Sequence, residues 1–301
     1  SFQNYGVQIT TNTVVGTTAT GNVSIIGQGG ASDGNSNNGV AIAAPVETSA
    51  GNISIQGTGG GGIGNWNRGV GIWNGGTVIT GSGELEVTGI GGGSVASEGN
   101  YGIQIQDAVV SSTSGPLRLS GIGGTGTGGG NTGITVFNTG VISSGNGNLT
   151  LSGRAGESGG MYNHGIHTSG ANIRIITVDG DLTAVGYGGG SGLDSDDNHG
   201  FLMDNQSQIA STGLGNISLE SHGGTSLGGY NVGLVIRTDA SVTSNEGSID
   251  ITSFAGTGTS GHGIAIAEST GGLIASAKND INILTDAFAI TPAGSITSGN
   301  N

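Results

Sequence analysis

Gly51-Asn52-Ile53-Ser54-Ile55-Gln56-Gly57 alternates apolar and polar residues between two turn-forming glycines, the pattern of a short strand with one buried face. Copies begin at Gly21, Gly83, Gly115, Gly147, Gly180, Gly215 and Gly247, and at Asn279 with asparagine for glycine. Successive spacings are 30, 32, 32, 32, 33, 35, 32 and 32 residues. A period held this closely along the chain marks a stacked repeat, in which each unit buries its apolar face against its neighbours.

A second motif precedes each copy of the first: Asn, any residue, Gly, then apolar-x-apolar. It opens the chain as Asn4-Tyr5-Gly6-Val7-Gln8-Ile9 and recurs at Asn37-Asn38-Gly39-Val40. Later copies have their glycine at Gly69, Gly102, Gly133, Gly165, Gly200, Gly233 and Gly263, and Ala287-Phe288-Ala289-Ile290 is a degenerate last one. Between the two motifs lies a weaker apolar patch: Val14 and Val15, Val46, Val78 and Ile79, Val109 and Val110, Val141 and Ile142, Ile209, Val242, Ile274, Ile296. Three short strands per repeat predict an all-β, right-handed parallel β-helix of triangular section. It has about ten coils of roughly 32 residues and forms a single domain over 1–301, uncapped at both ends. Each strand then bonds to its equivalents one coil away, at about 4.8 Å, and the rod is about 45 Å long. Val23 and Ile25 stack inward on Ile53 and Ile55, then Leu85 and Val87, Leu117 and Leu119, Leu149 and Leu151. Ser24, Ser54, Glu86, Arg118, Thr150, Thr183, Ser218, Asp250 and Asn282 point outward.

Composition agrees. Glycine supplies 68 of 301 residues, but it has no three-residue period and only three prolines accompany it, which excludes collagen. The alternating Val, Ile and Leu give every repeat a face to bury, which excludes disorder. A formal charge of −14, with Lys278 the one lysine beside five arginines, repels phosphate backbones and argues against nucleic acid. Cysteine is absent, which suits secretion without requiring it. No 18-residue apolar run is present to insert into a bilayer. No signal peptide is visible at Ser1, so the chain is expected to be intracellular, processed, or cut from a longer one.

The glycine opening each strand suits a corner with positive φ or a close approach of backbones. Asn4, Asn37, Asn67, Asn100, Asn131, Asn163, Asn198 and Asn231 share one repeat position. Asparagine tolerates left-handed conformations, and its amide can bond the same amide one coil away. A ladder of turn asparagines is expected. From each copy of the first motif to the next copy of the second run glycine-rich stretches such as Gly57-Thr58-Gly59-Gly60-Gly61-Gly62, of nearly constant length. Constant length predicts ordered, stacked loops forming an uncharged flank beside the core.

Strands of the Gly-Asn-Ile-Ser-Ile and Val-Ile-Thr-Ser kind resemble the haemagglutinin-type repeats of large bacterial surface exoproteins, the filamentous-haemagglutinin-like adhesins. The resemblance implies an extracellular or cell-surface rod acting in adhesion, cell contact or matrix building; cell-surface glycans are a further partner, suggested by the loop aromatics named below. The ends suggest self-association. Written end to end, Gly299-Asn300-Asn301-Ser1-Phe2-Gln3 mimics Gly51-Asn52-Ile53-Ser54-Ile55-Gln56. These six residues are the expected interface of a head-to-tail filament built by strand addition. The alternative is the shaft of a large adhesin whose binding tip lies outside the chain.

Other residues carry weaker chemical signals. Gly189-Gly190-Ser191-Gly192-Leu193-Asp194 partly fits a calcium turn, with Asp194, Asp196, Asp197 and Asn198 as ligands. A solvated acidic loop is the plainer interpretation. His164 and His199 share a repeat position, which predicts exposed stacked rings without a third zinc ligand. Glu86 and Arg118, one coil apart, are expected to pair. The acidic clusters lack a catalytic arrangement, so no enzyme is expected. The outward threonines are too interrupted for an ice-binding array. Trp66, Trp73, Tyr101, Tyr162, Tyr187 and Tyr230 lie near loops and could stack on sugar rings. Asn22, Asn52 and Asn216 fit the N-glycosylation pattern as a by-product of the repeat.

Overall fold

The computed structural model describes residues 3–94, 96–193, 195–259, 261–266 and 270–299. The first coil is made by β1 (Val7–Ile9), β2 (Val15–Thr17) and β3 (Val23–Gln28), and β4 (Val40–Ile42) then lies on β1. Among the described residues the pattern repeats through 29 strands. They form three parallel sheets of 10, 10 and 9 strands, called A, B and C after the order of their strands in a coil. Sheet C ends at β27 (Ile281–Thr285), while sheets A and B run on to β28 (Phe288–Ile290) and β29 (Gly294–Ser298). Nine turns are therefore complete and a tenth is partial, where the repeats predict about ten.

The stacking is in register. Val23 pairs with Ile53, Ile53 with Leu85, Leu85 with Leu117 and Leu117 with Leu149. All five side chains are buried in one continuous apolar core, each worth about 1.5–3 kcal/mol if wholly removed from water. The sheet B column of Val46, Val78, Val110, Ile142 and Ile209 gains Ile175, which the sequence patches omit. It lies in Ile173-Arg174-Ile175-Ile176, where alternation alone does not single out the inward residue. Thr168 is the polar member of an otherwise apolar column, and its hydroxyl is satisfied by that of Ser207 at 2.8 Å.

The glycine before each C strand is there for closeness and not for positive φ. A Cβ on Gly83 would run into the carbonyl oxygen of Gly51, one coil below. Thr48, Ser112, Ser144 and Ser244 fasten the same corner, each hydroxyl donating to the carbonyl of the glycine three residues on.

The glycine-rich loops stack as a flank with a core of its own, and that core is polar. Asn37, Asn67, Asn100, Asn131, Asn163, Asn198 and Asn231 are all fully buried. The Oδ1 of each accepts the backbone N–H of the asparagine one coil before it, at 3.0–3.3 Å from Asn4 to Asn231. In five of these seven steps it also accepts that neighbour's Nδ2–H, at 2.9–3.1 Å. The other Nδ2 proton closes the loop itself: Asn37 donates to the Gly34 carbonyl and Asn131 to that of Gly128, both at 2.7 Å. Each ladder carbonyl then accepts from a glycine in the next loop, as in Gly124 N–H to Asn100 O at 2.7 Å. Glycine is obligatory there, because a Cβ on Gly124 would collide with the Gly92 carbonyl.

The left-handed residue falls one position before the asparagine. It is Ser36, Trp66, Gly99, Gly130, Tyr162, Asp197 or Tyr230. A second ladder on the exterior uses exposed strand-opening residues, with Asn52 N–H on Asn22 Oδ1 at 2.8 Å and Ser248 N–H on Asn216 Oδ1 at 2.9 Å.

The two ladders should differ in worth. Asn100→Ala strips the acceptor from two buried Asn67 donors and should cost about 2–4 kcal/mol, since each unsatisfied buried group costs about 1–3 kcal/mol. Asn148→Ala, at an exposed position of the outer ladder, should cost under about 1 kcal/mol. Equal losses in chemical denaturation would contradict the buried ladder.

Candidate functional site

The outward positions of sheet A run Gln8, Ala41, Gly71, Gln104, Thr135, His167, Leu202, Val235 and Ala265. Most are buried although they point away from the core. On one side the glycine flank rises above them, carrying the variable residue of each Asn-x-Gly motif. On the other side stand the last residues of the strands, including Trp73, Gln106, Phe137 and Asp204. The space between is a groove along the rod. Toward the later coils Leu202, Val232, Val235 and Ala265 fill it as a small apolar cluster. Toward the earlier coils it opens as two clefts.

The first cleft, about 270 Å³, is lined by Tyr5, Asn38, Arg68, Trp73, Gln104 and Gln106 among others. The Trp73 ring lies against Gly71, where any Cβ would strike it. The Arg68 guanidinium lies 5.5 Å from the Trp73 ring centre and 5.7 Å from that of Tyr101. Three buried polar atoms here have no hydrogen-bond partner: Asn38 Nδ2, Arg68 Nε and Gln104 Oε1. Burial lowers the Arg68 pKa, partly offset by Tyr101 and Tyr5, and burial raises that of Tyr101. Orphaned buried polar atoms are rare in folded proteins and call for a cause.

The second cleft, about 330 Å³, is lined by Tyr101, Phe137, Tyr162, His164, His167, Asp204 and Arg237 among others. Tyr101 and Phe137 meet edge to face with ring centres 6.2 Å apart. His164 stacks on His199 at 5.1 Å and meets His167 at 5.0 Å. The predicted stacking is present, but His164 and His199 are buried and not exposed, because the flank covers them. The His164 and His199 Nδ1 atoms accept the backbone N–H groups of His199 and Val232, both at 3.3 Å. Burial above all, with Arg237 adding to it, pushes the imidazoles down: His167 to about 4 although Asp204 partly offsets the shift, His199 to about 3, and His164 well below its ordinary value. His199 is therefore neutral at pH 7, and its Nε2 lies 3.7 Å from Asp197 without forming an ion pair. Arg237 and Asp204 pair at 3.1 Å across the far wall.

The remaining sequence candidates disperse. Asp194 lies outside the described residues. Asn198 is committed to the ladder, with both its Oδ1 and its Nδ2 engaged. Asp196 Oδ1 accepts the Gly229 N–H, and Asp197 occupies the left-handed turn. Among the described residues no group of three or more His, Cys, Asp or Glu stands close enough to hold a metal. Ser1, Phe2, Asn300 and Asn301 lie outside the described residues. Gln3 Oε1 accepts the Tyr5 hydroxyl at 2.7 Å, and the Gly299 N–H donates to Ser276 O at 2.8 Å. Arg118 pairs with Glu84, at 3.1 Å, and not with Glu86.

Of the aromatic residues expected near loops, Trp73, Tyr101 and Tyr162 line the clefts. Trp66 and Tyr230 lie at the left-handed turns of the flank, with Tyr162. Tyr187 is elsewhere, stacked on His222 at 4.8 Å at the end of sheet C. Asn38, Arg68, Gln104, Phe137 and His167 were not singled out from sequence. Gln104 and His167 do interrupt a column of mostly small or apolar residues, whereas Asn38, Arg68 and Phe137 stand in columns of mixed chemistry that give no such signal. Compared with protein-family models, curated proteins and solved structures, the chain matches none.

The buried imidazoles fix the sign of a pH dependence. A histidine whose pKa is depressed on folding binds its proton in the unfolded state first, so its contribution is full above pH about 6.5 and is lost on acidification. Stability should fall from pH 6.5 toward pH 4, by about 1.4 kcal/mol per pH unit for each imidazole. His199→Gln should flatten that slope by one such increment in denaturation curves. An unchanged slope would contradict neutral burial.

Proposed function

We propose that the chain is an extracellular structural and adhesive β-solenoid that holds carbohydrate in the groove along sheet A. One observation carries this reading: the orphaned Asn38 Nδ2, Arg68 Nε and Gln104 Oε1 gathered beside the Trp73 ring. A pyranose offers an apolar C–H face to an aromatic ring and a belt of hydroxyls that both donate and accept. Such a ligand would lie against the indole, and small shifts of Asn38, Arg68 and Gln104 toward it would give their buried atoms partners. The left-handed turns add support. Gly99 and Gly130 occupy that site in two coils, while Trp66 and Tyr162 hold it at φ +61° and +65°. That conformation costs a side-chain-bearing residue about 1–2 kcal/mol. Bulky rings kept there against that cost and exposed to solvent suit a role in binding. The extracellular setting rests on the likeness of the strands to filamentous-haemagglutinin-like repeats.

A second reading concerns the end of the rod. Phe288 and Ile290 continue the inward columns of sheet A but are 42% and 45% exposed, while Ile264 and Ile266 beneath them are buried. A further coil set on them would cover both. Further coils of the same shaft would supply that cover, and so would a second copy adding its first strands, which would extend the rod into a filament.

On an array of surface-linked oligosaccharides the protein should bind a defined subset, and Trp73→Ala should weaken that binding by at least about tenfold, the loss of one stacked aromatic. Binding to no glycan would overturn the carbohydrate reading. Electron micrographs of concentrated protein should show filaments; only separate rods of about 45 Å would overturn end-to-end growth.

A further inference from the structure

The charge inside the first cleft points to a narrower class of ligand. We infer that Arg68 receives the carboxylate of a uronic-acid unit, so that the groove selects glycans bearing occasional acidic sugars over wholly neutral ones. This inference rests on the carbohydrate reading and sharpens it.

Arg68 is set apart from the other cations of the chain. Arg118, Arg154, Arg237 and Lys278 each pair with a carboxylate, that of Glu84, Glu157, Asp204 and Glu246 respectively. Arg174 is exposed on sheet B. Arg68 is half-buried, its Nε is enclosed without a partner, and its Nη1 reaches the Trp66 carbonyl at 3.3 Å. Among the described residues no carboxylate lines the cleft. A guanidinium stays charged at neutral pH, and withdrawing part of it from water without an anion is costly. Its planar fork fits a carboxylate bidentately.

The neighbours match the rest of a uronate. Gln104 Nε2 donates to Gln106 Oε1 at 3.0 Å, which leaves Gln104 Oε1 to accept from a sugar hydroxyl. Asn38 Oδ1 accepts the Arg68 backbone N–H at 2.9 Å, which leaves Asn38 Nδ2 to donate to one. Both side chains are more than nine-tenths buried, Asn38 at 0% and Gln104 at 4% exposure. Their free atoms lie just beneath the cleft surface, so a sugar meets them as these side chains shift toward it. The overall charge sets the density of acid. A chain at −14 repels a dense polyanion along its length, and one half-buried cation does not offset that repulsion. An acidic sugar spaced among neutral ones meets Arg68 without it.

Trp66 and Trp73 are the two tryptophans of the chain, so intrinsic fluorescence reports on this cleft. Three probe sets suffice: glucuronate-capped tri- and tetrasaccharides, their methyl esters, and the same oligosaccharides capped with glucose. The free acids should bind at least about tenfold more tightly than esters or glucose forms, the gain expected of a charge-assisted bidentate contact. The preference should shrink as sodium chloride rises from about 0.05 to 0.5 M. Arg68→Gln should bring the acids to the level of the glucose forms, with its melting curve checked for folding. Gln104→Glu, which places a carboxylate in the cleft, should also abolish the preference and decides the matter if Arg68→Gln is unstable. Equal binding of acid, ester and glucose forms would overturn the uronate inference and leave the carbohydrate reading standing. Binding by none of the probes would overturn both.

Discussion

Among the described residues no strand bonds to another strand of its own coil. The backbone N–H and C=O groups of each inner strand find their partners one coil above or below, as in the pairing of Val23 with Ile53 and Ile53 with Leu85. A coil therefore has to repeat the path of the one beneath it residue for residue, or leave backbone polar groups unpaired. Everything else in the structure follows from that demand. It turns repeat positions into columns, and it makes each column choose one kind of side chain. Aliphatic residues fill the inward columns and hydroxyls line the corner before each C strand. Glycine is kept wherever one backbone lies directly upon another.

The same demand gives the molecule two cores of opposite chemistry. The triangular core is hydrocarbon. The flank has too little hydrocarbon to bury, and its loops carry many backbone groups that need partners. Asparagine meets both needs, because one side chain offers an acceptor to the coil before and donors to its own loop and to the coil after. A flank so built stands high enough over sheet A to bury Gln104 and Thr135. The groove is the seam between these two cores. Its chemistry comes from residues that depart from the repeat, with Arg68 and Tyr101 where other coils place Asn38, Thr132 or Val232.

The columns were legible in the sequence because they depend on period alone. The spacing of the Gly-Asn-Ile-Ser-Ile copies fixed which residues stack, and the aligned asparagines announced their ladder. What was hidden depends on how one layer covers another. His164 and His199 read as exposed because nothing in their own coils shows the flank closing over them. Arg118 reaches Glu84 where register alone suggested Glu86, since a long side chain can lean along the strand. The left-handed residue sits at Trp66 and Tyr162, one place before the asparagine whose tolerance for that conformation suggested itself. The groove was least legible of all. Arg68, Trp73 and Gln104 belong to two coils and two walls, and no short window of sequence contains them together.

The most direct measurement of this account is hydrogen exchange at asparagine side-chain amides, followed by NMR on protein labelled with 15N at asparagine. If the buried ladder carries the flank, the Nδ2 protons of Asn67, Asn100, Asn163 and Asn198 exchange at least about a hundredfold more slowly than those of the exposed Asn22, Asn52 and Asn148, because they require local opening. Exchange of the two sets at the same rate would contradict it.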